Sequence, residues 1–173
     1  MTAWVAYTPS GREMDVQEAY EAVGLECHVP RRVDVKRAGN RRRPDVVVSA
    51  YLPNYVFIWA ADHQYAWMKD VKHVRSIMGI GPGSERAVRA FISRVESDFA
   101  ARMSQIEASE RVAEYNPGDL LQIITGPFAG QVARFTRMVE GANDIFPSVF
   151  ASMDLMGRET GVRLDPLHVR KAG

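Results

Sequence analysis

The chain has 173 residues, of which 46% are hydrophobic, 25% charged and 9% aromatic, and its formal net charge is +1. These values are typical of a globular protein and exclude disordered and collagen-like chains. No window holds the roughly 18 consecutive apolar residues that a membrane-spanning helix needs, and the first residues lack the features of a signal peptide, so we expect no membrane contact and a cytoplasmic location. The single cysteine, Cys27, excludes an internal disulfide framework.

Basic charge is concentrated between residues 31 and 43. Seven arginines and lysines lie there against one acid, Asp34, so the segment carries +6 and the remainder of the chain carries −5. Such a cluster can attract phosphate or an acidic protein surface, but a solvated hairpin tip explains the charge equally well.

The first segments of the chain alternate between strand-like and helix-like patterns. Trp4–Tyr7 is a short apolar run that predicts a buried strand, and Ser10–Glu13 has the spacing of a capping box at the start of a helix. Gly24 is the predicted end of that helix. Residues 27–37 and 45–59 are rich in β-formers and predict a long hairpin that carries the arginines at its tip.

A second set of elements completes the amino-terminal half. Asp62 is a candidate cap for a short helix, and Val74–Met78 predicts a further strand. Ser84 is a candidate cap for a stronger helix, whose apolar residues from Val88 to Phe99 follow the i, i+3, i+4, i+7 pattern. These elements predict an α+β sandwich with a helix covering one face of the sheet.

The pattern changes after residue 99. Between residues 100 and 114 the apolar period weakens, which predicts a linker, with a fraying continuation of the helix as the alternative. We therefore expect an amino-terminal domain over residues 1–99, the linker over 100–114 and a small barrel over 115–173. The predicted barrel strands, separated by glycine- and proline-rich turns, are Leu120–Ile124, Gln131–Val139, Ser148–Asp154, Thr160–Leu164 and His168–Arg170.

Two stretches resemble motifs of one protein family. Residues 117–130 resemble a KOW motif, in which a strand leads into a glycine-proline-phenylalanine turn, and residues 155–164 with 169–171 look like the closing strands of the same barrel. Residues 52–58 resemble the family's proline-glycine-tyrosine-valine-phenylalanine strand. Because both motifs occur in the right order, the chain resembles the NusG family of transcription elongation and antitermination factors. The resemblance implies an NGN-like α/β sandwich with an antiparallel sheet, a flexible linker and a KOW SH3-like β-barrel.

Three positions depart from the family pattern. Asn54 stands where a glycine is usual, although asparagine tolerates positive φ better than most residues. Ala133 replaces a second glycine, and residues 141–147 are less strand-like than expected. These departures indicate a divergent paralogue or a phage or mobile-element version.

The resemblance implies that the amino-terminal domain binds bacterial-type RNA polymerase at the clamp helices of its largest subunit. Such a factor suppresses pausing and supports processive transcription. Strand alternation places Tyr55 and Phe57 on one face and Val56 and Ile58 on the other, and a place in the domain's own core is the alternative for such aromatic residues. The positions that match the polymerase-binding surface are Trp4, Leu52, Tyr55, Phe57 and Trp67.

Two further contacts follow from the resemblance. The hairpin tip is expected near DNA at the transcription bubble, where arginines without interleaved aromatic residues favour phosphate contact over base readout; its residues are Arg37, Arg41, Arg42 and Arg43. The barrel is expected to recruit a ribosomal small-subunit protein or Rho, although a different partner is equally compatible. The matching barrel positions are Phe128, Leu155, Met156 and Arg158.

Catalysis has little support in the sequence. Cys27 and His28 are adjacent on a predicted strand and so point to opposite faces, which excludes a thiol–imidazole dyad. The four histidines lack metal-ligand spacing, and residues 79–84 lack the lysine of a phosphate-binding loop. We therefore expect a monomeric, non-enzymatic protein without cofactor or metal. The alternative function is a ribosome- or RNA-associated KOW protein that binds structured RNA through its basic hairpin, which the nearly neutral charge weakens.

Overall fold

The computed structural model describes residues 2–36, 45–81, 83–141, 144 and 146–172. Of the described residues, one compact unit contains 2–34 and 46–100, and the other contains 35, 36, 45 and those from 101 to 172. Within the described ranges, no helix is both long enough and apolar enough to cross a membrane. The two units are described separately below.

The first unit is an α/β sandwich. Strands β1, β2, β5 and β6 form an antiparallel sheet in the order β2-β5-β1-β6, whereas β3 and β4 pair with each other in a separate two-stranded sheet. In chain order the elements are β1 (Thr2–Tyr7), α1 (Glu13–Ala22), β2 (Glu26–His28), β3 (Arg31–Lys36), β4 (Asp45–Ala50), β5 (Tyr55–Ala60), a 3-10 turn (Asp62–Gln64), α2 (Tyr65–Lys69), β6 (Ser76–Gly79) and the first part of α3 (Glu85–Ala113).

Both faces of this sheet are covered by helices. Val56 and Ile58 of β5 are fully buried in a core that includes residues of α1 and α2. Phe57 and Trp59 point the other way, into a second core that includes the α3 residue Phe91. Because β5 is an inner strand with a core on each side, its residues are buried in succession from Val56 to the end of the strand.

The predicted long hairpin is broken in both arms. Val29 and Pro30 separate β2 from β3, and a turn at residues 51–54 separates β4 from β5. A proline cannot donate to a strand ladder, and Asn54 has a φ of 76°, which turns the chain out of the strand direction. Strands β2 and β5 therefore belong to the four-stranded sheet, and β3 and β4 form the separate two-stranded sheet. The predicted turn at residues 38–40 lies outside the described residues.

The predicted capping box at the start of α1 is wrong in detail. Arg12 occupies the N-cap position, and no side chain of the described residues caps the helix there. The carboxylate of Glu13 instead accepts hydrogen bonds from the backbone N–H groups of Gly11 and Asn54, at 2.8 Å and 2.7 Å. The predicted end of α1 is confirmed, since Gly24 follows the helix with a φ of 78°.

Residues 100–113 are helical and continue α3, as in the alternative to an irregular linker. Ile106, Ala108 and Val112 are buried, and Val112 belongs to the core of the second unit. The other residues of this stretch are mostly good helix formers, so the weaker apolar period did not end the helix.

The second unit is a five-stranded antiparallel β domain. Its strands follow the order β10-β9-β8-β7-β11, and each contributes to one core. All five predicted strands are present within a few residues of their predicted bounds. They are β7 (Leu120–Ile123), β8 (Val132–Val139), β9 (Ser148–Leu155), β10 (Arg158–Leu164) and, after a 3-10 turn (Pro166–His168), β11 (Val169–Lys171).

Candidate protein-binding surfaces

Partly exposed aromatic side chains gather on the α3 side of the first sheet. Tyr7 and Tyr55 are register partners on β1 and β5, and their rings meet edge to face with centroids 5.8 Å apart. Tyr51 meets the ring of Phe91 in the same manner, at 5.9 Å. Leu52 packs on the core that contains Phe91. We call these residues the tyrosine surface: Tyr7, Tyr51, Leu52, Tyr55 and Phe91.

Phe57 lies beneath the tyrosine surface. Only 7% of this residue is exposed, and its ring centroid is 6.4 Å from that of Phe91. Tyr55, two residues earlier on the same face of β5, is 40% exposed. Of the two possibilities that the sequence left open for Phe57, the structure gives a core position from which it supports the exposed rings.

Trp4 and Trp67 are associated with the opposite face of the sheet. Trp4 pairs in register with Ile58 and packs on the core that contains α1. Its ring centroid is 5.6 Å from that of Tyr65 on α2. Trp67 also lies on α2, whose Met68 is buried in this same core, and is 54% exposed. The five predicted polymerase-binding residues are therefore divided between two faces and do not form one surface.

Sequence reasoning missed three members of the tyrosine surface. Tyr7 was part of a predicted buried strand, and Phe91 was part of the apolar stripe of α3. Tyr51 begins the turn that interrupts the predicted strand over residues 45–59. A signal for Tyr7 exists only in the pairing of β1 with β5, which brings it opposite Tyr55.

Arginine side chains fasten the first part of α3 to the sheet. Arg89 donates to Glu26 at 2.7 Å and lies 4.3 Å from the ring centroid of Trp59. Its hydrogen bond to Glu26, together with one to Glu85, raises the pKa of the guanidinium above its ordinary value despite partial desolvation. These contacts fix the helix that carries Phe91, and so fix one wall of the tyrosine surface.

A second arginine clamp lies further along α3. Arg31 donates to Glu96 at 2.9 Å and stacks 4.7 Å from the ring centroid of Phe99. His28 Nε2 lies 3.1 Å from the same carboxylate. Desolvation alone would raise the pKa of Glu96, but the hydrogen bonds from Arg31 and His28 outweigh it and hold the pKa below its ordinary value. Glu96 is therefore ionised at neutral pH.

Cys27 and His28 point to opposite faces, as predicted. The Cys27 thiol donates to the Gln17 carbonyl at 3.4 Å, whereas His28 reaches α3. Burial, with the nearby charge of Glu21, raises the pKa of the Cys27 thiol to about 12. The thiol is protonated at neutral pH and is a poor nucleophile. Across the described ranges, no group of three or more histidine, cysteine, aspartate or glutamate side chains could hold a metal ion.

The arginines of the predicted hairpin tip lie outside the described residues; they are Arg37, Arg41, Arg42 and Arg43. The strands that lead to them, β3 and β4, are described up to Lys36 and from Asp45. Val47 and Val48 of β4 are exposed, and Arg32 pairs with Asp34 at 3.3 Å.

The β domain presents one methionine at the tip of a hairpin. Met156 and Gly157 form the two-residue loop between the paired residues Leu155 and Arg158, and their φ angles are 55° and 80°. Two positive φ angles are the mark of a type I′ turn, which favours asparagine or glycine. Met156 is fully exposed, in a backbone conformation that costs a non-glycine residue roughly 1 kcal/mol. An apolar side chain thus stands in solvent on a strained turn.

The other predicted partner-binding residues of the β domain lie away from the tip of this hairpin. Leu155 and Phe128 are half-buried and pack against the core of the domain. Arg158 is exposed at the base of the hairpin loop. Met156 is therefore the most accessible apolar side chain of this predicted set.

The fold and these surfaces define a class of protein: an α/β sandwich followed by an antiparallel β domain, with exposed apolar side chains on each. The family model described as "Transcription termination factor nusG" matches residues 3–98, which is more than half of the 173 residues. The chain therefore belongs to the NusG family of transcription termination and elongation factors.

Solved structures with similar chains carry related descriptions. One is described as "Domain interaction in Thermotoga maritima NusG", with 20% identity, a TM-score of 0.29, and coverage of 99% of this chain and 97% of that one. Another is conformation A of the MjSpt4:Spt5 complex, with 16% identity, a TM-score of 0.31, and coverage of 98% and 97%. No curated protein matches the sequence.

Proposed function

We propose that this protein binds RNA polymerase at the clamp helices of the largest subunit through the tyrosine surface. By doing so it suppresses pausing and supports processive transcription. The observation that carries the proposal is the gathering of exposed rings around Leu52 and Tyr55, two positions that the family resemblance matched to polymerase binding. The membership of residues 3–98 in the NusG family supports the same assignment.

The chemistry of the tyrosine surface suits an interface with a helical partner. Tyrosine and phenylalanine supply large apolar contact area, and they are enriched among the residues that dominate interface energies. The edge-to-face contacts of Tyr7 with Tyr55, and of Tyr51 with Phe91, restrain the rings before binding. Less side-chain entropy is therefore lost when the partner docks.

The proposed mechanism requires no chemical step. A factor that binds the closed clamp more tightly than the open clamp shifts the polymerase population toward the closed state. The occupancy of paused states then falls, and elongation proceeds with fewer interruptions. The arginines at residues 37 and 41–43 would add salt-sensitive contacts to DNA phosphates near the bubble.

The β domain is proposed to be a KOW domain that recruits a second machine, either a ribosomal small-subunit protein or Rho. Met156 is the proposed anchor, because its exposed, flexible thioether can fit an irregular apolar pocket. Leu155 and Phe128 would border the contact, and the guanidinium of Arg158 would supply charge.

Two tyrosines provide a matched test of the polymerase contact. Tyr55 and Tyr65 are each 40% exposed, but Tyr55 is in the tyrosine surface and Tyr65 contacts Trp4. We expect Tyr55→Ala to weaken binding to purified RNA polymerase by at least about tenfold, as expected for an interface hot spot. Tyr65→Ala should stay within about twofold of wild type, since it lies outside the proposed contact.

Two outcomes of that measurement would contradict the proposal. If Tyr65→Ala loses binding and Tyr55→Ala does not, the polymerase contact lies on the Trp4 side of the sheet. If the folded wild-type protein does not bind polymerase, the family resemblance extends to the fold only, and binding to structured RNA becomes the leading function.

A further inference from the structure

A buried carboxylate lies behind the turn that carries Leu52 and Tyr55. Only 4% of Glu13 is exposed, and each of its carboxylate oxygens accepts one backbone hydrogen bond. Oε1 accepts from the N–H of Asn54 at 2.7 Å, and Oε2 accepts from the N–H of Gly11 at 2.8 Å. The carboxylate thus joins the start of α1 to the turn before β5.

The turn has the features of type II. The N–H of Tyr55 donates to the carbonyl of Leu52 at 3.4 Å, Pro53 holds the second position, and Asn54 holds the third with a φ of 76°. Types I and II differ in the orientation of the central peptide, here between Pro53 and Asn54. The N–H of that peptide donates its hydrogen bond to the Glu13 carboxylate, so the carboxylate favours the type II orientation.

Asn54 is tied to the same region by two more hydrogen bonds. Its side-chain Nδ2 donates to the carbonyl of Thr8 at 2.9 Å, and its carbonyl accepts from the N–H of Thr8 at 2.9 Å. Thr8 is fully buried directly after Tyr7. A non-glycine residue at positive φ is costly unless its surroundings hold it there, and these bonds supply that restraint.

We infer that Glu13 is a positioning residue for the polymerase contact. Its carboxylate fixes the central peptide of the turn. Leu52 and Tyr55 are the first and last residues of this turn, which places them on the side of the sheet that carries Tyr7. This inference rests on the proposed function. Glu13 is not part of the tyrosine surface, and it would affect polymerase affinity only through Leu52 and Tyr55.

The test compares full-length variants by their affinity for RNA polymerase, at a temperature where each is folded. Glu13→Gln keeps the size of the side chain but turns an amide NH₂ toward one of the two backbone N–H groups. We expect Glu13→Gln to bind roughly tenfold more weakly than wild type, because a preorganised contact is lost. Glu18→Gln, an exposed change on the same helix, should bind within about twofold of wild type.

Rescue by glycine separates positioning from general stability. Glycine adopts positive φ without a penalty, so Asn54→Gly should tolerate the loss of the carboxylate restraint. The double variant Glu13→Gln with Asn54→Gly should regain most of the lost affinity, to within about threefold of Asn54→Gly alone. Equal binding by folded Glu13→Gln and wild type would overturn the inference, and so would a double variant that binds no better than Glu13→Gln.

Amide exchange distinguishes this inference from the proposed function. In the free full-length protein, the Asn54 amide should be protected from hydrogen exchange, and Glu13→Ala, which removes both acceptor oxygens, should reduce that protection by about tenfold or more. Unchanged protection would overturn the role of Glu13 in the turn. Failure of wild type to bind polymerase, with Asn54 protection lost in Glu13→Ala, would instead overturn the proposed function and leave the turn assignment standing.

Discussion

The two units expose apolar surface in different ways. In the first unit, the tyrosine surface consists of paired rings supported from beneath by Phe57 and flanked by a helix that arginines hold in place. In the second unit, Met156 stands on a strained two-residue turn. Rigid rings favour one partner of fixed shape, whereas an unbranched thioether adapts to several. This difference is consistent with the proposal of a fixed polymerase contact on the first unit and an adaptable recruiting contact on the second.

The largest expected effect is a difference in unfolding free energy between two variants of the first unit, one at the supporting residue Phe57 and one at the contact residue Tyr55. Phe57→Ala should lower the free energy of unfolding by about 3 kcal/mol, because it leaves a cavity against Phe91. Tyr55→Ala removes a partly exposed ring and should cost about 1 kcal/mol or less. Denaturant unfolding of both variants measures the difference. Similar losses for the two variants would contradict the division into a supporting residue and a contact residue.

A smaller effect of opposite sign is expected at the hairpin of the second unit. Met156→Asn should raise the free energy of unfolding by about 0.5–1 kcal/mol, because asparagine suits the first position of a type I′ turn. The same change should weaken binding of the β domain's partner, since it removes the proposed apolar anchor. Thermal unfolding and a binding assay with the ribosomal protein or Rho check the two halves.

Met156→Leu is the control for that prediction. Leucine keeps an apolar side chain at the tip but gains nothing from the turn, so it should preserve partner binding without the rise in stability. If Met156→Asn is no more stable than wild type, the positive φ at this position carries no strain. The contrast between the rigid and the adaptable contact would then lose its energetic basis.

Much of the fold could be predicted because local patterns carry it. The five strands of the β domain were predicted because turn residues bracket each β-rich run, and alternation within β5 correctly separated Phe57 from Ile58. The continuation of α3 through residue 113 was the weaker of two expectations, because the apolar period weakens there and the sequence pattern does not show that Val112 joins the core of the β domain.

The candidate sites were harder to predict than the fold. Alternation relates residues within one strand, but the face of Trp4 relative to Tyr55 depends on the register between β1 and β5. The same register brings Tyr7 beside Tyr55. Glu13 was predicted as part of a capping box; it accepts from the nearby Gly11, but its other partner, Asn54, lies 41 positions away in the sequence. Long-range pairing of this kind leaves no local signal.

The most direct test of the central claim is the hydrogen-exchange footprint of RNA polymerase on the wild-type protein. The account predicts new protection of backbone amides at Tyr7, at residues 51–55 and in α3 around Phe91, with none in α2 from Tyr65 to Lys69. Protection of α2 without protection of residues 51–55 would contradict it, because the polymerase would then occupy the Trp4 side of the sheet.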